Sequence, residues 1–272
     1  MEFVEIHGAQ LEVRHVPGSR ELAPLVFLHE GLGCVSMWTQ KDRDWPAELC
    51  SATGRSGWLY SRRGYGRSDP IPDVRGTPRV DGFWHVGRHE PDYMHREAFD
   101  VLPLLLKRLN AKKPVLIGHS DGATIALLYA SRFSVTACVA MAPHVFVEDL
   151  SIRSIDVART AFGNQVGERS LRDRLMRYHQ NVDNAFWQWN DIWLDPAFRN
   201  FDIREDCRGI DSPLMLVQGL NDEYGSLDQL SEIARHVPGA LRVELPDCGH
   251  SPHRDQPESL TVAITDWTAD LP

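Results

Sequence analysis

The sequence predicts an α/β fold in which a mostly parallel central sheet is flanked by helices. Short apolar segments, typical of buried strands, alternate with segments of helical periodicity, and the links between them are short. The alternation runs along nearly all of the 272 residues. That length exceeds the usual ~150 residues of one domain, but single α/β cores are often this long. We therefore expect one core that carries one insertion.

The elements are predicted in the following order. Residues 1–16 form a hairpin that turns at Gly8-Ala9. Further strands are predicted near residues 24–29, 57–62, 114–118, 135–142, 213–218 and 240–245. Helices are predicted near residues 38–52, 94–109, 121–132, 227–236 and 256–270.

The segment that is most informative about function is Gly-His-Ser-Asp-Gly at residues 118–122, between an apolar strand and an apolar helix. In this context Ser120 is expected on a sharp, strained turn that exposes its hydroxyl group. The two glycines leave room where a β-carbon would collide with a neighbouring strand or helix. A serine hydroxyl is a weak nucleophile at neutral pH, so this interpretation requires a base and an orienting acid elsewhere.

Candidates for the acid and the base follow Ser120 in chain order. Asp222 comes after one predicted strand and His250 after the next. Ligands of open α/β sheets bind beyond the carboxyl ends of the strands, so the three side chains can meet at one edge. His253 is the alternative base, and the Gly249-His250 pair directly after a strand favours His250.

Five motifs, taken together and in sequence order, resemble those of the α/β-hydrolase superfamily over nearly the whole chain. They are the segment 28–33 (Leu-His-Glu-Gly-Leu-Gly), the segment 63–69 (Arg-Gly-Tyr-Gly-Arg-Ser-Asp), the turn at Ser120, and the segments that end at Asp222 and His250. The resemblance implies an α/β-hydrolase fold with an inserted helical cap and a catalytic triad of Ser120, Asp222 and His250. It implies no cofactor and no metal, because triad and oxyanion hole complete the chemistry.

The expected oxyanion hole consists of two backbone N–H groups. One belongs to Asp121, directly after the nucleophile, and alignment with the family places the other at Gly31, with Leu32 as the alternative. The family usually has glycine where Glu30 stands in this chain. We interpret Glu30 as a solvated or hydrogen-bonded loop residue; the alternative is a carboxylate at the site mouth that screens substrates by charge.

The predicted domain organisation is a hydrolase core in two parts, residues 1–143 and 212–272, with a helical cap inserted at residues 144–211. The cap contains a dense aromatic segment at residues 186–193. Some of these rings are expected to form the core of the cap and others to roof an apolar acyl pocket. The candidate substrate contacts of the insertion are His144, Phe146, Trp187 and Trp189.

The expected reaction is hydrolysis of a small carboxylic ester through an acyl-enzyme intermediate. The Ser-Asp-Gly at the turn resembles biphenyl-hydrolase-like and valacyclovir-hydrolase-like enzymes, in which this acid is associated with amino-acid esters. Asp121 is therefore also a candidate for binding a substrate ammonium group; the alternative is that it complements the positive end of the following helix. Two other functions stay open: a carbon–carbon hydrolase of aromatic ring-cleavage products, and a small-molecule sensor.

Composition limits the possible partners. A net charge of −9 with scattered arginines argues against nucleic acid, and the chain has no run of ~18 apolar residues that would span a membrane. Five cysteines without framework spacing and a start unlike a signal peptide predict a cytoplasmic protein. The expected partner is a small-molecule substrate, and the oligomeric state stays open. The histidines at 85, 89 and 95 are interpreted as a surface loop rather than metal ligands.

Overall fold

The computed structural model describes residues 2–40, 42–82, 84–163 and 170–272. Its centre is an eight-stranded sheet with the strand order β1-β2-β4-β3-β5-β6-β7-β8. Strand β2 is antiparallel to both of its neighbours, and every other pair is parallel. The strands are β1 (Glu2–Ile6), β2 (Ala9–Val16), β3 (Leu25–Leu28), β4 (Gly57–Tyr60), β5 (Val115–His119), β6 (Ala137–Met141), β7 (Leu214–Gly219) and β8 (Leu241–Leu245). The mostly parallel sheet predicted from the sequence is confirmed.

Helices flank the sheet on both faces, and a buried apolar layer lies under each face. The helices are α1 (Trp45–Thr53), α2 (Tyr93–Arg96, a π-helical turn at Glu97–Val101, and Leu102–Arg108), α3 (Asp121–Arg132), α4 (Asp149–Gly163), α5 (Leu171–Met176), α6 (Val182–Trp193), α7 (Asp228–His236), α8 (Pro252–Asp255) and α9 (Pro257–Thr268). The π-helical turn in α2 comes just before Pro103, which has no N–H to donate to the preceding turn.

The helix predicted at 38–52 is wrong at its start. The chain first forms a short 3₁₀-helix at Val35–Trp38 and a small hairpin of Thr39–Gln40 with Arg43–Asp44. Helix α1 begins only at Trp45, because Asp44 caps it by accepting from the Ala47 N–H at 3.3 Å and Pro46 occupies its first turn. Apolar spacing extended the prediction across this boundary.

In the sequence, helices α4, α5 and α6 follow β6 and precede β7, within the segment that we predicted as a cap. Phe162 of α4 stacks on Phe186 of α6 with ring centroids 3.7 Å apart, so part of the aromatic segment does form a core between these helices. Residues 164–169 of the predicted insertion lie outside the described residues. The boundaries at residues 144 and 211 stay a prediction. None of the helices described is both long and apolar enough to cross a bilayer.

Candidate active site

Ser120 lies on the sharp turn between β5 and α3. Its backbone has φ 54° and ψ −119°, a left-handed conformation that is costly for a residue with a side chain. The flanking glycines make this turn possible. A β-carbon at Gly118 would lie 2.4 Å from the carbonyl oxygen of Gly122, and one at Gly122 would lie 2.1 Å from the carbonyl oxygen of Leu28. The steric reason predicted for both glycines is confirmed.

The structure brings Ser120, His250 and Asp222 together at the carboxyl edge of the sheet. His250 Nδ1 is 2.8 Å from Asp222 Oδ1, and His250 Nε2 is 3.0 Å from Ser120 Oγ. Since the carboxylate accepts the Nδ1–H, the neutral ring presents the lone pair of Nε2 to the serine hydroxyl, which donates to it. This arrangement allows the imidazole to take the hydroxyl proton as the oxygen attacks a carbonyl carbon.

The loop after β7 holds the Asp222 carboxylate in place. Its Oδ1 accepts from the backbone N–H of Tyr224 at 2.8 Å and of Gly225 at 3.3 Å, and its Oδ2 accepts from Gln218 Nε2 at 3.1 Å. Burial raises the pKa of Asp222, but the nearby His250 and these hydrogen bonds outweigh burial, so the net shift is downward. Asp222 is therefore ionised at every pH at which the neutral His250 ring can act as a base.

The pairing with Asp222 also shifts the pKa of His250. Burial lowers its pKa, yet the charge and hydrogen bond of Asp222, with smaller contributions from Glu223 and Glu30, raise it above the ordinary histidine value. His253, the alternative base, packs against the rings of Trp38 and Trp45 and does not line the cavity at Ser120. Of the two candidates, only His250 faces the serine hydroxyl.

A cavity of about 260 Å³ opens in front of Ser120. One wall is apolar and comes largely from the helices between β6 and β7. The polar wall comes from the end of β5 and from the loops after β3, β7 and β8. The apolar wall includes Met37, Ile155, Leu171, Leu175, Trp189 and Trp193, and the polar wall includes Glu30, His119, Glu223, His250, Ser251 and Arg254.

Three of the predicted substrate contacts, Glu30, His144 and Trp189, line this cavity. The His144 ring lies 5.7 Å from the His250 ring, and burial, followed by the nearby His250, lowers the pKa of His144 to about 3. It therefore stays neutral. Phe146 is not among the residues that line the cavity, so the prediction for Phe146 is corrected; its backbone forms an isolated bridge with Asp202.

Trp187 is also corrected, and Trp193 was missed. Trp187 lies outside the cavity, under the Arg75 guanidinium at 3.8 Å from the ring centroid. Residues two positions apart on an α-helix are rotated by about 200° around its axis, so Trp187 and Trp189 point to opposite sides. Trp193 follows Trp189 by four residues and therefore shares its face. That spacing was the signal in the sequence.

Asp121 is the third correction, because its carboxylate does not reach the cavity. The side chain is 1% exposed and is not among the residues that line the cavity. Its Oδ2 accepts from the Tyr93 hydroxyl at 2.8 Å, its Oδ1 accepts from Trp193 Nε1 at 3.3 Å, and Arg62 Nη2 lies 3.7 Å away. These partners occupy both oxygens, so the carboxylate is closed to a substrate ammonium group.

The two predicted oxyanion donors are free to act. Gly31 lines the cavity, and Asp121 is the first residue of α3. Across the residues that the structure describes, neither backbone N–H has a protein acceptor. A β-carbon at Gly31 would lie 2.2 Å from the Trp189 ring, so a larger residue there would displace this ring. The oxyanion role itself stays a prediction.

Known proteins of similar sequence and structure are hydrolases. A mouse protein named sn-1-specific diacylglycerol lipase ABHD11 is 23% identical, over 98% of this chain and 88% of that protein. The enol-lactonase of Burkholderia xenovorans LB400 superposes with a TM-score of 0.72 at 20% identity, over 99% of this chain and all of that one. A carboxylesterase structure from Nitrososphaera gargenis gives a TM-score of 0.70 at 18% identity, over 98% of each chain.

The family comparison covers the chain from the third strand to the last helix. The model of the alpha/beta hydrolase family matches residues 25–264, which include the turn at Ser120 and the positions of Asp222 and His250. The strand order, the sharp turn after β5 and the placement of the three side chains agree with that match. The chain belongs to the alpha/beta hydrolase family.

Proposed function

We propose that this protein is a serine hydrolase that cleaves small carboxylic esters with an apolar acyl group through an acyl-enzyme intermediate. One observation carries the proposal: Ser120 Oγ, on a strained turn at the wall of a cavity, lies 3.0 Å from an imidazole whose other nitrogen lies 2.8 Å from a carboxylate. A nucleophile, a base and an orienting acid in this order are what acyl transfer requires.

The roles follow from this order. Ser120 attacks the ester carbonyl while His250 accepts its proton, and His250 then donates that proton to the leaving alcohol. Asp222 holds the ring in the productive tautomer and stabilises its charged form. The N–H groups of Gly31 and Asp121 bind the negative oxygen that develops. Water then attacks the acyl-serine by the same proton transfers in reverse.

The cavity supports a small substrate. Its volume of about 260 Å³ is at the lower end of the ~300–1,000 Å³ that is typical of small-molecule sites. This size favours a small ester over a whole diacylglycerol, the substrate in the name of the mouse relative. The apolar wall around Trp189 and Trp193 suits the acyl group, and the polar wall suits the leaving alcohol. Amino-acid esters are not part of the proposal, because Asp121 is closed.

The experiment that tests the proposal is intact-mass analysis after treatment with a fluorophosphonate probe. We expect one adduct on the native chain and none on the Ser120→Ala variant, because only an activated serine next to a formed oxyanion hole reacts. A panel of p-nitrophenyl esters with acyl chains of two to about twelve carbons then measures kcat/KM. We expect an optimum at short or medium chains.

The outcomes are distinct. An adduct that persists in Ser120→Ala overturns the assignment of the nucleophile. If the native chain forms no adduct and turns over no ester, but retains a small ligand tightly, the protein is a small-molecule sensor and not an enzyme. If the protein turns over a vinylogous keto-acid but no ester, its reaction is cleavage of a carbon–carbon bond and the proposed ester hydrolysis is wrong.

A further inference from the structure

We propose that Glu30 is a positioning residue for His250, whose following segment it holds through Arg254 at the polar lining of the cavity. This inference rests on the proposed function, because it concerns the base of that reaction. Glu30 stands where the family usually has glycine, so the arrangement belongs to this chain's own residues.

The first contact joins the loop after β3 to the segment after His250. Arg254 Nη2 donates to Glu30 Oε1 at 2.8 Å. Arg254 lies on α8, four residues after His250, and both partners line the cavity. The Glu30 side chain is only 15% exposed and that of Arg254 is 27% exposed, so solvent screens the pair weakly. The pair therefore restrains the segment that carries the base.

A second approach places Glu30 beside His119, which is itself hydrogen-bonded to the backbone of His250. His119 Nε2 donates to the carbonyl oxygen of His250 at 2.7 Å, and its Nδ1, which has no hydrogen-bond partner among the described residues, lies 3.5 Å from Glu30 Oε2. His119 is completely buried and precedes Ser120 in the turn. Glu30 thus contacts both the residue before the nucleophile and the segment after the base.

The local backbone leaves room for this carboxylate. A β-carbon at Gly33 would lie 2.4 Å from Glu30 Oε2. Burial raises the pKa of Glu30, but Arg254 and then His119 outweigh burial and bring the pKa well below its usual range. Glu30 is therefore a stable anion near the base.

That charge acts on His250 together with the other groups around it. Glu30 is one of three carboxylates that favour the charged imidazole, after Asp222 and Glu223, whose Oε2 also accepts from the His250 N–H at 3.2 Å. The titratable and charged groups that face His250 are Asp222, Glu223, Tyr224, His119, His144, Glu30, His253 and Arg254.

The test compares Glu30→Gln with a matched control, Glu258→Gln, which makes the same change at an exposed carboxylate paired with Arg43 outside the cavity. Both variants are assayed with the best ester of the native protein, for kcat, KM and the pH profile of kcat/KM. Glutamine keeps the shape and one acceptor for Arg254 but loses the charge.

For Glu30→Gln we expect kcat to fall by about tenfold or more, towards the roughly 100-fold cost of a misplacement of about 1 Å, with KM little changed. The acid limb of the profile should move to lower pH, because losing a nearby negative charge destabilises the imidazolium of His250. Glu258→Gln should leave all three quantities unchanged.

Glu30→Gln with native kcat and an unmoved acid limb overturns the inference, while native ester turnover keeps the proposed function intact. If the native chain itself turns over no ester, the proposed function is wrong, and this outcome is distinct from a failure of the inference about Glu30. If Glu30→Gln does not fold, Arg254→Gln removes the same link from the other side. It should lower kcat similarly, and Arg254→Lys should restore most of it; equal kcat for both Arg254 variants also overturns the inference.

Discussion

Two carboxylates near Ser120, those of Asp121 and Glu30, have opposite relations to the substrate cavity. Asp121, directly after Ser120 in the chain, is enclosed by Tyr93, Trp193 and Arg62 under the turn. Glu30, ninety positions away in sequence, lines the cavity with Arg254. Proximity in sequence to the nucleophile therefore does not bring a charge into contact with the substrate.

The physical difference lies in their partners. Asp121 has two uncharged hydrogen-bond donors on a buried face of the protein, with Arg62 at a longer distance, so it serves the packing of α2, α3 and α6. Glu30 pairs with an arginine that is itself partly open to the cavity. We expect mutation of Asp121 to affect stability first and mutation of Glu30 to affect catalysis first.

The largest expected effect is on kcat, and it comes from Asp222, the carboxylate that contacts His250, rather than from Asp121 or Glu30. Asp222→Asn should lower kcat by about 10⁴, because an amide no longer holds the required tautomer of the ring. Asp121→Asn should cost far less, since Asp121 does not contact His250. Steady-state ester kinetics on the folded variants measure both. Equal losses in the two variants would mean that Asp121 takes part in the chemistry.

The next effect is on stability. Asp121→Ala should lower the free energy of unfolding by about 3 kcal/mol, because it leaves the buried Arg62 guanidinium without its carboxylate. Glu30→Ala should cost less, since Arg254 is 27% exposed and water can replace its partner. Urea denaturation monitored by tryptophan fluorescence gives both values. A larger loss for Glu30→Ala would reverse the comparison.

The smallest effect is on substrate selectivity. An amino-acid ester and its des-amino analogue should differ in kcat/KM by less than tenfold, the ratio that about 1.4 kcal/mol of specific binding would produce. The reason is that Asp121 is closed to an ammonium group. Matched kinetics on the two esters are the measurement. A preference above tenfold for the amino-acid ester would show that another acid, such as Glu30 or Glu223, binds the amine.

Much of the fold was predictable because the responsible forces are local. The hairpin predicted for residues 1–16 is seen in β1 and β2, but its turn is His7-Gly8, both at positive φ, one residue before the predicted Gly8-Ala9. The parallel strands are short apolar runs, and a run of buried residues is visible in the sequence. The start of α1 was misplaced, since apolar spacing continues through Trp38 while the cap at Asp44 interrupts the helix.

The candidate site was predictable only in part. Ser120, Asp222 and His250 were found because each follows a strand, and parallel strands deliver their ends to one edge. Trp187 and Phe146 were misassigned because aromatic content does not say which side of an element faces a cavity. Trp193 required the helical phase of α6, which its spacing from Trp189 contains.

The sequence by itself determined the strands, the strained turn at Ser120 and the three side chains that meet there. These depend on apolar runs, on glycines that relieve local clashes, and on chain order. Only the tertiary structure decided the use of Asp121 and Glu30. Their partners lie 28 and 72 residues from Asp121 and 224 residues from Glu30, and contacts over such separations leave no periodic signal in the chain.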